Sequence, residues 1–237
     1  MRTVKVTAIL SSPLGSDPPM LDALCEFAMA GKMGSVISSS NGHRHACPLV
    51  PRGQQVSREA VGKVPIPIAR SLVDGLPIPH ASSPICSSIE ADRATHYTSQ
   101  YPIAQTGLLR PKELTKIVTG GGRYKSFRLP LRTRLIERVV WFAALREKPS
   151  RLRGLLSSVH GLGKKQGYGY GAVAEWLVEP LDDDWSWIAP SEAGPVLMRP
   201  LPISAAPKGL LGCRRDFGGV VGPYWQREFW RERVTPC

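Results

Sequence analysis

A glycine-rich segment in the second half of the chain separates two regular elements. It has five glycines within eleven residues, interrupted by two lysines and two tyrosines. Apolar residues in 152–159 have the spacing of one helical face, and those in 172–178 alternate as in a strand. The order helix, glycine loop, strand predicts a turn whose backbone other groups can approach closely. The glycines are Gly161, Gly163, Gly167, Gly169 and Gly171.

Two common phosphate-binding motifs do not fit this loop. A P-loop would need glycine at Ser158 and a hydroxyl side chain at Lys165. The dinucleotide-binding fingerprint follows a strand and opens a helix, which is the reverse of the order here. An anion-binding backbone concavity does fit, with Lys164 and Lys165 supplying charge to phosphates. Tyr168 and Tyr170 would then offer a face on which bases stack, whereas an ordinary glycine turn would place them in the core.

The excess positive charge is confined to one segment. The 237 residues carry 31 Lys and Arg against 19 Asp and Glu, a net charge of +12. Residues 101–170 hold 15 of these basic residues and 3 of the acidic ones, which leaves 16 of each sign elsewhere. Such a block predicts a polyanionic partner, with a merely solubilising surface as the alternative. The basic residues expected to assist the glycine loop are Arg123, Lys125, Arg128, Arg132 and Arg134.

Hydrophobic periodicity predicts an α+β fold. Alternation over residues 3–10 indicates a strand, and the apolar stripe of residues 21–28, with Asp17 as N-cap, indicates a helix. Residues 134–145 are rich in β-branched and aromatic side chains and indicate a further strand. Together with the helix and strand around the glycine loop, this order matches a ferredoxin-like (RNA-recognition-motif-like) β-α-β-β-α-β sheet, provided that one further strand lies within residues 124–145.

The remaining segments interrupt or follow this sheet. We expect a long thumb-like insertion, in which residues 64–79 form a projecting hairpin around an Asp74-Gly75 turn. The C-terminal region shows no clear period and is expected to be irregular, with a second sheet or a degenerate copy of the first as alternatives. The tryptophans of that region are expected to pack in a core or against another subunit, with base stacking as an alternative. The predicted boundaries are residues 1–34 for the first strand and helix, 35–123 for the insertion, 124–180 for the rest of the sheet with its glycine loop, and 181–237 for the C-terminal extension.

Several classes of site find little support in the sequence. The five cysteines are scattered and never form a C-x-x-C, so neither a disulfide framework nor a zinc ribbon is expected. The H-x-H-x-C run at residues 43–47 has no evident fourth ligand for a metal. No stretch has the length of a membrane-spanning helix or the features of a signal peptide. We therefore expect a cytoplasmic protein with no membrane partner, no cofactor and no metal.

Several stretches resemble one protein family. The loop in LLSSVHGLGKKQGYGYGAV resembles the glycine-rich loop of the repeat-associated mysterious protein (RAMP) superfamily of CRISPR systems. PPMLDALCEFAMAGK near the start, VLMRPLP at residues 196–202, and PYW at 223–225 followed by VTPC are similar to the small subunit of type IV effector complexes that caps the five-prime handle of the guide RNA. The resemblance leaves residues 35–123 uncovered, and the basic segment between the glycines is shorter than in many superfamily loops.

The resemblance implies a ferredoxin-like, non-catalytic RNA-binding subunit that seeds assembly of a complex acting against foreign DNA. Its partners would be the crRNA five-prime handle and the backbone and large subunits of the effector, with target DNA as a further candidate. The loop residues expected to bind RNA are Gly161, Gly163, Lys164, Lys165, Gln166, Gly167, Tyr168, Gly169, Tyr170 and Gly171, assisted by the five basic residues named above.

Two other functions stay open. Some members of the superfamily cut repeat RNA without metal, and His160, Tyr168 and Lys164 would supply the groups for a metal-independent endoribonuclease. A histidine at a helix C-terminus is, however, stabilised by the helix dipole without any catalytic role. No catalytic residue is therefore predicted. The other function is a structural subunit that uses its positive charge to dock an acidic protein.

Overall fold

The computed structural model describes residues 1–32, 37–38, 44–45, 64–100, 120–121, 125–210, 213–222, 224 and 226–236. They form an α+β structure whose strand pairs are antiparallel. The described helices are α1 (Leu21–Lys32) and α2 (Pro149–Leu156), with short 3-10 turns at Gln166–Tyr168, Ile203–Ala205 and Arg227–Phe229. The described strands are β1 (Arg2–Leu10), β2 (Ile37–Ser38), β3 (Arg44–His45), β4 (Arg70–Val73), β5 (Leu76–Pro79), β6 (Ile85–Cys86), β7 (Ile89–Ser99), β8 (Phe127–Ile136), β9 (Arg138–Leu145), β10 (Val173–Leu181), β11 (Ile188–Ala189), β12 (Val196–Leu197), β13 (Leu201–Pro202), β14 (Cys213–Gly219) and β15 (Trp230–Pro236).

The central sheet has four strands in the order β10-β1-β9-β6. β1 lies between β10 and β9, so that Val6 stands opposite Val178 on one side and Trp141 on the other. Alternation along β1 buries Val4, Val6 and Ala8 on one face. Side chains of α1 and α2 belong to the same core as these three residues. Both helices therefore cover one face of the sheet.

Both predicted helices are confirmed, and one of them begins later than expected. The apolar stripes of α1 and α2 are buried as their spacing requires. α1 begins at Leu21, and Asp17 does not cap it, because the Asp17 carboxylate instead accepts a hydrogen bond from Arg134 on β8. Neither described helix is long and apolar enough to cross a bilayer.

The strand predicted for residues 134–145 is in fact the end of one strand and the whole of the next. β8 ends at Ile136 and β9 begins at Arg138. Between them, the Glu137 carbonyl accepts a hydrogen bond from the N–H of Leu10 at 2.9 Å. β9 stays in the central sheet, whereas β8 pairs with β7 in a separate two-stranded ladder with largely exposed side chains. This β7–β8 ladder starts inside the predicted insertion and continues past its expected end.

The hairpin that was expected to project is instead part of the interior. β4 and β5 do form a hairpin, and the predicted turn is confirmed by positive φ angles of 49° at Asp74 and 74° at Gly75. Leu76 and Ile78 of β5 are buried, because the apolar residues that alternate with its prolines face the core. Further along, β6 supplies the outer strand of the central sheet. Residues 64–86 are therefore packed into the rest of the structure and do not project as a thumb-like insertion would.

The C-terminal region contains a second sheet, which was one alternative to an irregular region. β13, β15 and β14 form a three-stranded sheet, and β11 pairs with β12. β11, β12 and β13 have two residues each, which is too short for a period to show in the sequence. The region is organised around a second core formed by Leu76, Ile78, Leu197, Leu201, Val220, Val221 and Phe229.

The described tryptophans of this region pack against other residues of the chain, in agreement with the prediction that they pack in a core. Trp185 meets Phe142 edge to face at 5.1 Å between ring centroids. The indole N–H of Trp187 donates to the Pro79 carbonyl at 2.9 Å, and that of Trp230 donates to a backbone carbonyl at 3.0 Å. Trp225 lies outside the described residues.

Candidate nucleic-acid interface

The glycine loop is closed at its base by backbone hydrogen bonds. Gly161 and Ala172 form an antiparallel bridge. The N–H of Leu162 donates to Gly171 at 2.8 Å, and that of Val173 donates to His160 at 3.0 Å. The chain that leaves α2 therefore returns directly into β10, which holds the residues between as one loop.

Two of the glycines are required by the packing of the loop itself. Gly163 has φ +75°, and a Cβ there would lie 2.7 Å from the Ser16 hydroxyl oxygen. Gly171 has φ +68°, and a Cβ there would overlap the Leu162 carbonyl oxygen. Only glycine combines a positive φ with such close approach. By contrast, Gly167 and Gly169 are exposed, so of the predicted groove glycines these two face solvent.

The segment after β1 anchors the loop from the side. The Ser16 hydroxyl accepts the backbone N–H of Lys164 at 2.9 Å. The N–H of Gly171 donates to Pro13 and that of Ala172 to the Ser12 hydroxyl, both at 2.8 Å. Residues 12–16 thus accept three hydrogen bonds from the loop, which set the position of the lysines relative to the central sheet.

The loop and β8 form the walls of one cleft. Leu14 and Arg134 exchange backbone hydrogen bonds of 2.8 and 3.0 Å, which brings β8 alongside the segment that anchors the loop. The space between them measures about 600 Å³. We call it the basic cleft, and its polar and charged lining residues are Ser16, Asp17, Arg132, Arg134, Lys164 and Lys165. The structure therefore brings the predicted lysines and two of the predicted arginines together.

The charges of the basic cleft differ in how they are already paired. Arg132 donates to both carboxylate oxygens of Asp92, with its Nε at 3.0 and 2.8 Å, and this contact lowers the pKa of Asp92. Arg134 is paired with Asp17. Lys164 is exposed and forms no ion pair with a described residue. Lys164 therefore supplies a charge that is more available to a ligand than that of Arg132 or Arg134.

The two tyrosines of the loop have different surroundings. Tyr168 is 61% exposed, and the Lys165 ammonium lies 5.6 Å from its ring centroid. Tyr170 is half-buried, with its Cβ close to Gly15. Tyr168 thus presents a largely exposed ring beside Lys165, which lines the basic cleft. The backbone of Lys165 is left-handed, with φ +65°, a conformation that costs a non-glycine residue on the order of 1 kcal/mol.

The other predicted residues lie farther from the cleft or brace it. Gln166 donates through its side-chain amide to the Gly163 carbonyl at 3.1 Å and so stiffens the loop. Arg128 shares the face of β8 that carries Arg132, but contacts His96 at 3.3 Å. Lys125 is exposed two residues before β8. Arg123 lies outside the described residues.

The structure brings neither the histidine considered for catalysis to the basic cleft nor a set of metal ligands together among the described residues. His160 is exposed and is not among the residues that line the basic cleft. No group of three or more His, Cys, Asp or Glu side chains suited to a metal occurs among the described residues. His43 and Cys47 of the H-x-H-x-C run lie outside them.

A buried polar network was not predicted from the sequence. Arg199 is fully buried and donates to the carbonyls of Pro79 and Ala81, both at 2.7 Å. It also donates to the Tyr224 hydroxyl at 3.1 Å, and that hydroxyl donates to Asp22 at 2.6 Å. Burial raises the pKa of Tyr224, which keeps this hydroxyl protonated as a donor. The network joins α1 to the second core.

The three residues of this network lie in three separate stretches of the sequence. Asp22 lies in PPMLDALCEFAMAGK, Arg199 in VLMRPLP and Tyr224 in PYW. Far apart in sequence, they meet in one hydrogen-bonded chain that fastens the C-terminal region to α1. The only signal in the sequence was the position of Arg199 within the apolar run VLMRPLP. A polar residue in such a run is typically buried and hydrogen-bonded.

A second polar cluster holds the hairpin of β4 and β5 against the loop before β11. The Ser71 hydroxyl lies 2.7 Å from Nε2 of His80. The His80 ring stacks on that of Trp187, with 4.3 Å between the ring centroids. Hydrogen bonds from His80 and Ser186 hold the pKa of Asp184 at about 2. His80 therefore has a structural role.

Comparison with known protein families and with curated protein sequences finds no match to this chain.

Proposed function

We propose that this chain is a non-catalytic RNA-binding subunit of a type IV CRISPR effector complex. In this role it would hold the five-prime handle of the crRNA in the basic cleft and seed assembly with the backbone and large subunits. The observation that carries the proposal is the convergence of the glycine loop and β8 on that cleft. Arg134 and Lys164, 30 positions apart in sequence, contribute to one cationic surface in this cleft. The exposed Tyr168 lies beside it.

The topology of the central sheet supports a ferredoxin-like core. With β1, β6, β9 and β10 as its four strands, the order becomes 4-1-3-2, with α1 after the first strand and α2 after the third. The β7–β8 ladder is inserted between the second and third of these strands. We take this ladder as the base of the thumb, and RNA-recognition folds of this type bind single-stranded segments.

The chemistry of the cleft suits a single RNA strand. Lys164 at the rim and the largely exposed guanidinium of Arg132 would contact phosphates. A base next to such a phosphate could stack on Tyr168, whose ring already lies near the Lys165 ammonium. The loop is held by backbone hydrogen bonds before any ligand arrives, which limits the entropic cost of binding. A cationic groove with a stacking platform is the usual arrangement for single-stranded nucleic acid.

The direct test removes the charge of the lysines without disturbing the loop. Asn tolerates the left-handed backbone of residue 165, so the variant is Lys164→Gln with Lys165→Asn. We expect weaker binding of a labelled single-stranded RNA of about twelve nucleotides. The slope of log K against log salt should become shallower by about 0.7 for each phosphate that the variant no longer neutralises. Fluorescence anisotropy across a salt series measures both.

The matched control removes two exposed positive charges that do not line the cleft, Lys208→Gln with Arg215→Gln. An equal decrease in affinity in both double variants would mean that only net charge matters and would refute the cleft. Incubation of the same RNA with wild-type protein in chelator should leave it intact. Discrete cleavage that disappears in His160→Ala would replace this proposal with the endoribonuclease.

A further inference from the structure

One acidic side chain lines the basic cleft. Among the described residues that form its walls, Asp17 is the only acid, and its side chain is 89% exposed. A carboxylate repels the phosphates that the neighbouring lysines attract. Its presence would weaken RNA binding unless it makes a favourable contact with the ligand.

The ion pair with Arg134 does not by itself account for Asp17. The position of Arg134 is already set by the two backbone hydrogen bonds that it exchanges with Leu14. Exposed ion pairs contribute little to stability. The Arg134 guanidinium contacts Oδ1 of Asp17, and the high exposure of the side chain leaves Oδ2 accessible from the cleft. An accessible acceptor therefore lies in a site otherwise built for anions.

Asp17 is also placed beside the residue expected to hold a phosphate. Its neighbour Ser16 accepts the backbone N–H of Lys164 at 2.9 Å. Asp17 and Lys164 both line the basic cleft, so a strand with one phosphate at Lys164 can place a neighbouring sugar at Asp17. The backbone of DNA has no hydrogen-bond donor, whereas each ribose of RNA has one, the 2′-hydroxyl. A carboxylate at this position can therefore distinguish the two polymers.

We propose that Asp17 accepts a hydrogen bond from a ribose 2′-hydroxyl and thereby makes the basic cleft selective for RNA over DNA. The inference rests on the proposed function, since it needs a nucleic acid strand in the cleft. It adds a specificity element that neither the glycine loop nor the arginines supply.

The test uses three labelled single strands of one sequence, made of RNA, of 2′-fluoro RNA and of DNA. The 2′-fluoro strand retains the sugar pucker of RNA but lacks the donor. The full-length wild-type protein should bind RNA about tenfold more tightly than 2′-fluoro RNA, the effect of one hydrogen bond to a charged acceptor. Asp17→Ala should reduce this ratio to about one, and it should bind DNA more tightly than wild type does because a repelling charge is gone.

Two further variants separate recognition from charge and from folding. Asp92→Ala also removes a carboxylate paired with a cleft arginine, but both oxygens of Asp92 already accept hydrogen bonds from Arg132. It should change the affinities for all three strands by a similar factor and leave their ratios unchanged. Asp17→Asn keeps an acceptor oxygen in a side chain of similar size, so it should retain part of the preference for RNA.

The outcomes separate this inference from the function on which it rests. If wild type binds RNA and 2′-fluoro RNA equally, or if Asp17→Ala keeps the wild-type ratio, Asp17 does not read the hydroxyl and the inference is wrong while the RNA-binding function stands. If wild type binds none of the three strands, the proposed function itself fails.

Discussion

Two arginines, one in the basic cleft and one in the interior next to α1, are used differently by this molecule. In the basic cleft, Arg132 is 75% exposed and paired with Asp92. In the interior, Arg199 is fully buried and donates to three backbone carbonyls and to Tyr224. The comparison shows that solvent exposure, more than residue type, decides whether a charge meets a ligand or holds the fold.

The physical reason lies in solvation. An exposed pair exchanges its partners with water at little cost, so it can open and bind a phosphate. Water does not reach a buried guanidinium. When the guanidinium is removed, its former acceptors therefore cannot bond to water in its place. The buried network should therefore control stability, and the cleft should control affinity.

The largest expected effect is that of Arg199→Met, which keeps the apolar stem and removes the buried guanidinium. It should lower the free energy of unfolding by about 3–5 kcal/mol, because four acceptors each lose a charged donor, although the Pro79 carbonyl keeps the Trp187 indole N–H. Urea denaturation measures the decrease. Arg214→Met, on an exposed arginine of β14, is the matched control and should leave the midpoint nearly unchanged. Similar effects of the two variants would remove the distinction between buried and exposed arginines.

An intermediate effect is expected at Glu26, which lies beside the buried network on α1 and pairs with Arg70 at 2.9 Å. Burial and the nearby Asp22 outweigh Arg70 and raise the pKa of Glu26 to about 7. A raised carboxyl pKa means that the folded state binds the proton more tightly than the unfolded state does. Stability from this group is therefore lost as pH rises from about 4.5 to about 7.

Glu26→Gln should remove this dependence, since glutamine does not titrate. Wild type and variant should have similar free energies of unfolding near pH 5, and the variant should be more stable at pH 8 by on the order of 1–3 kcal/mol. Thermal denaturation at several pH values measures the difference in free energy of unfolding between the two proteins. The contributions of the other titrating groups are the same in both and cancel in this difference. A constant difference across pH would contradict the raised pKa.

The smallest effect on stability is expected for Arg132→Gln in the basic cleft. The urea midpoint should stay the same within error, because the exposed Asp92 carboxylate can be solvated by water in place of the guanidinium. Affinity for single-stranded RNA should nevertheless fall several-fold, with a shallower salt dependence. A measurable decrease in stability together with unchanged affinity would assign Arg132 to the fold and not to the cleft.

Much of the local structure could be predicted because it depends on neighbours in sequence. The apolar stripe of α2, the alternation of β1 and the positive φ angles at Asp74 and Gly75 follow from side-chain spacing and turn chemistry. The convergence of Lys164 with Arg132 was suggested by charge alone. Its geometry depends on the pairing of Leu14 with Arg134, which no local pattern indicates.

The predictions that failed concerned contacts between distant segments. Residues 64–79 contain prolines and a turn, which are typical of a projecting loop, yet Leu76 and Ile78 are buried because the C-terminal region covers them. Asp17 precedes two prolines as a helix cap would, but the guanidinium of Arg134 offers its carboxylate a stronger partner. β6 has only two residues and completes the central sheet through its pairing with β9.

The sequence by itself determined where α1, α2, β1, β10 and the turn at Asp74 and Gly75 form, and where one sign of charge accumulates, because these follow from interactions within a few residues. Only the tertiary structure decided which charges are buried and which remain open to a ligand. Burial is a property of the whole packed chain, and Arg199 and Arg132 become different groups only when the segments around them have come together.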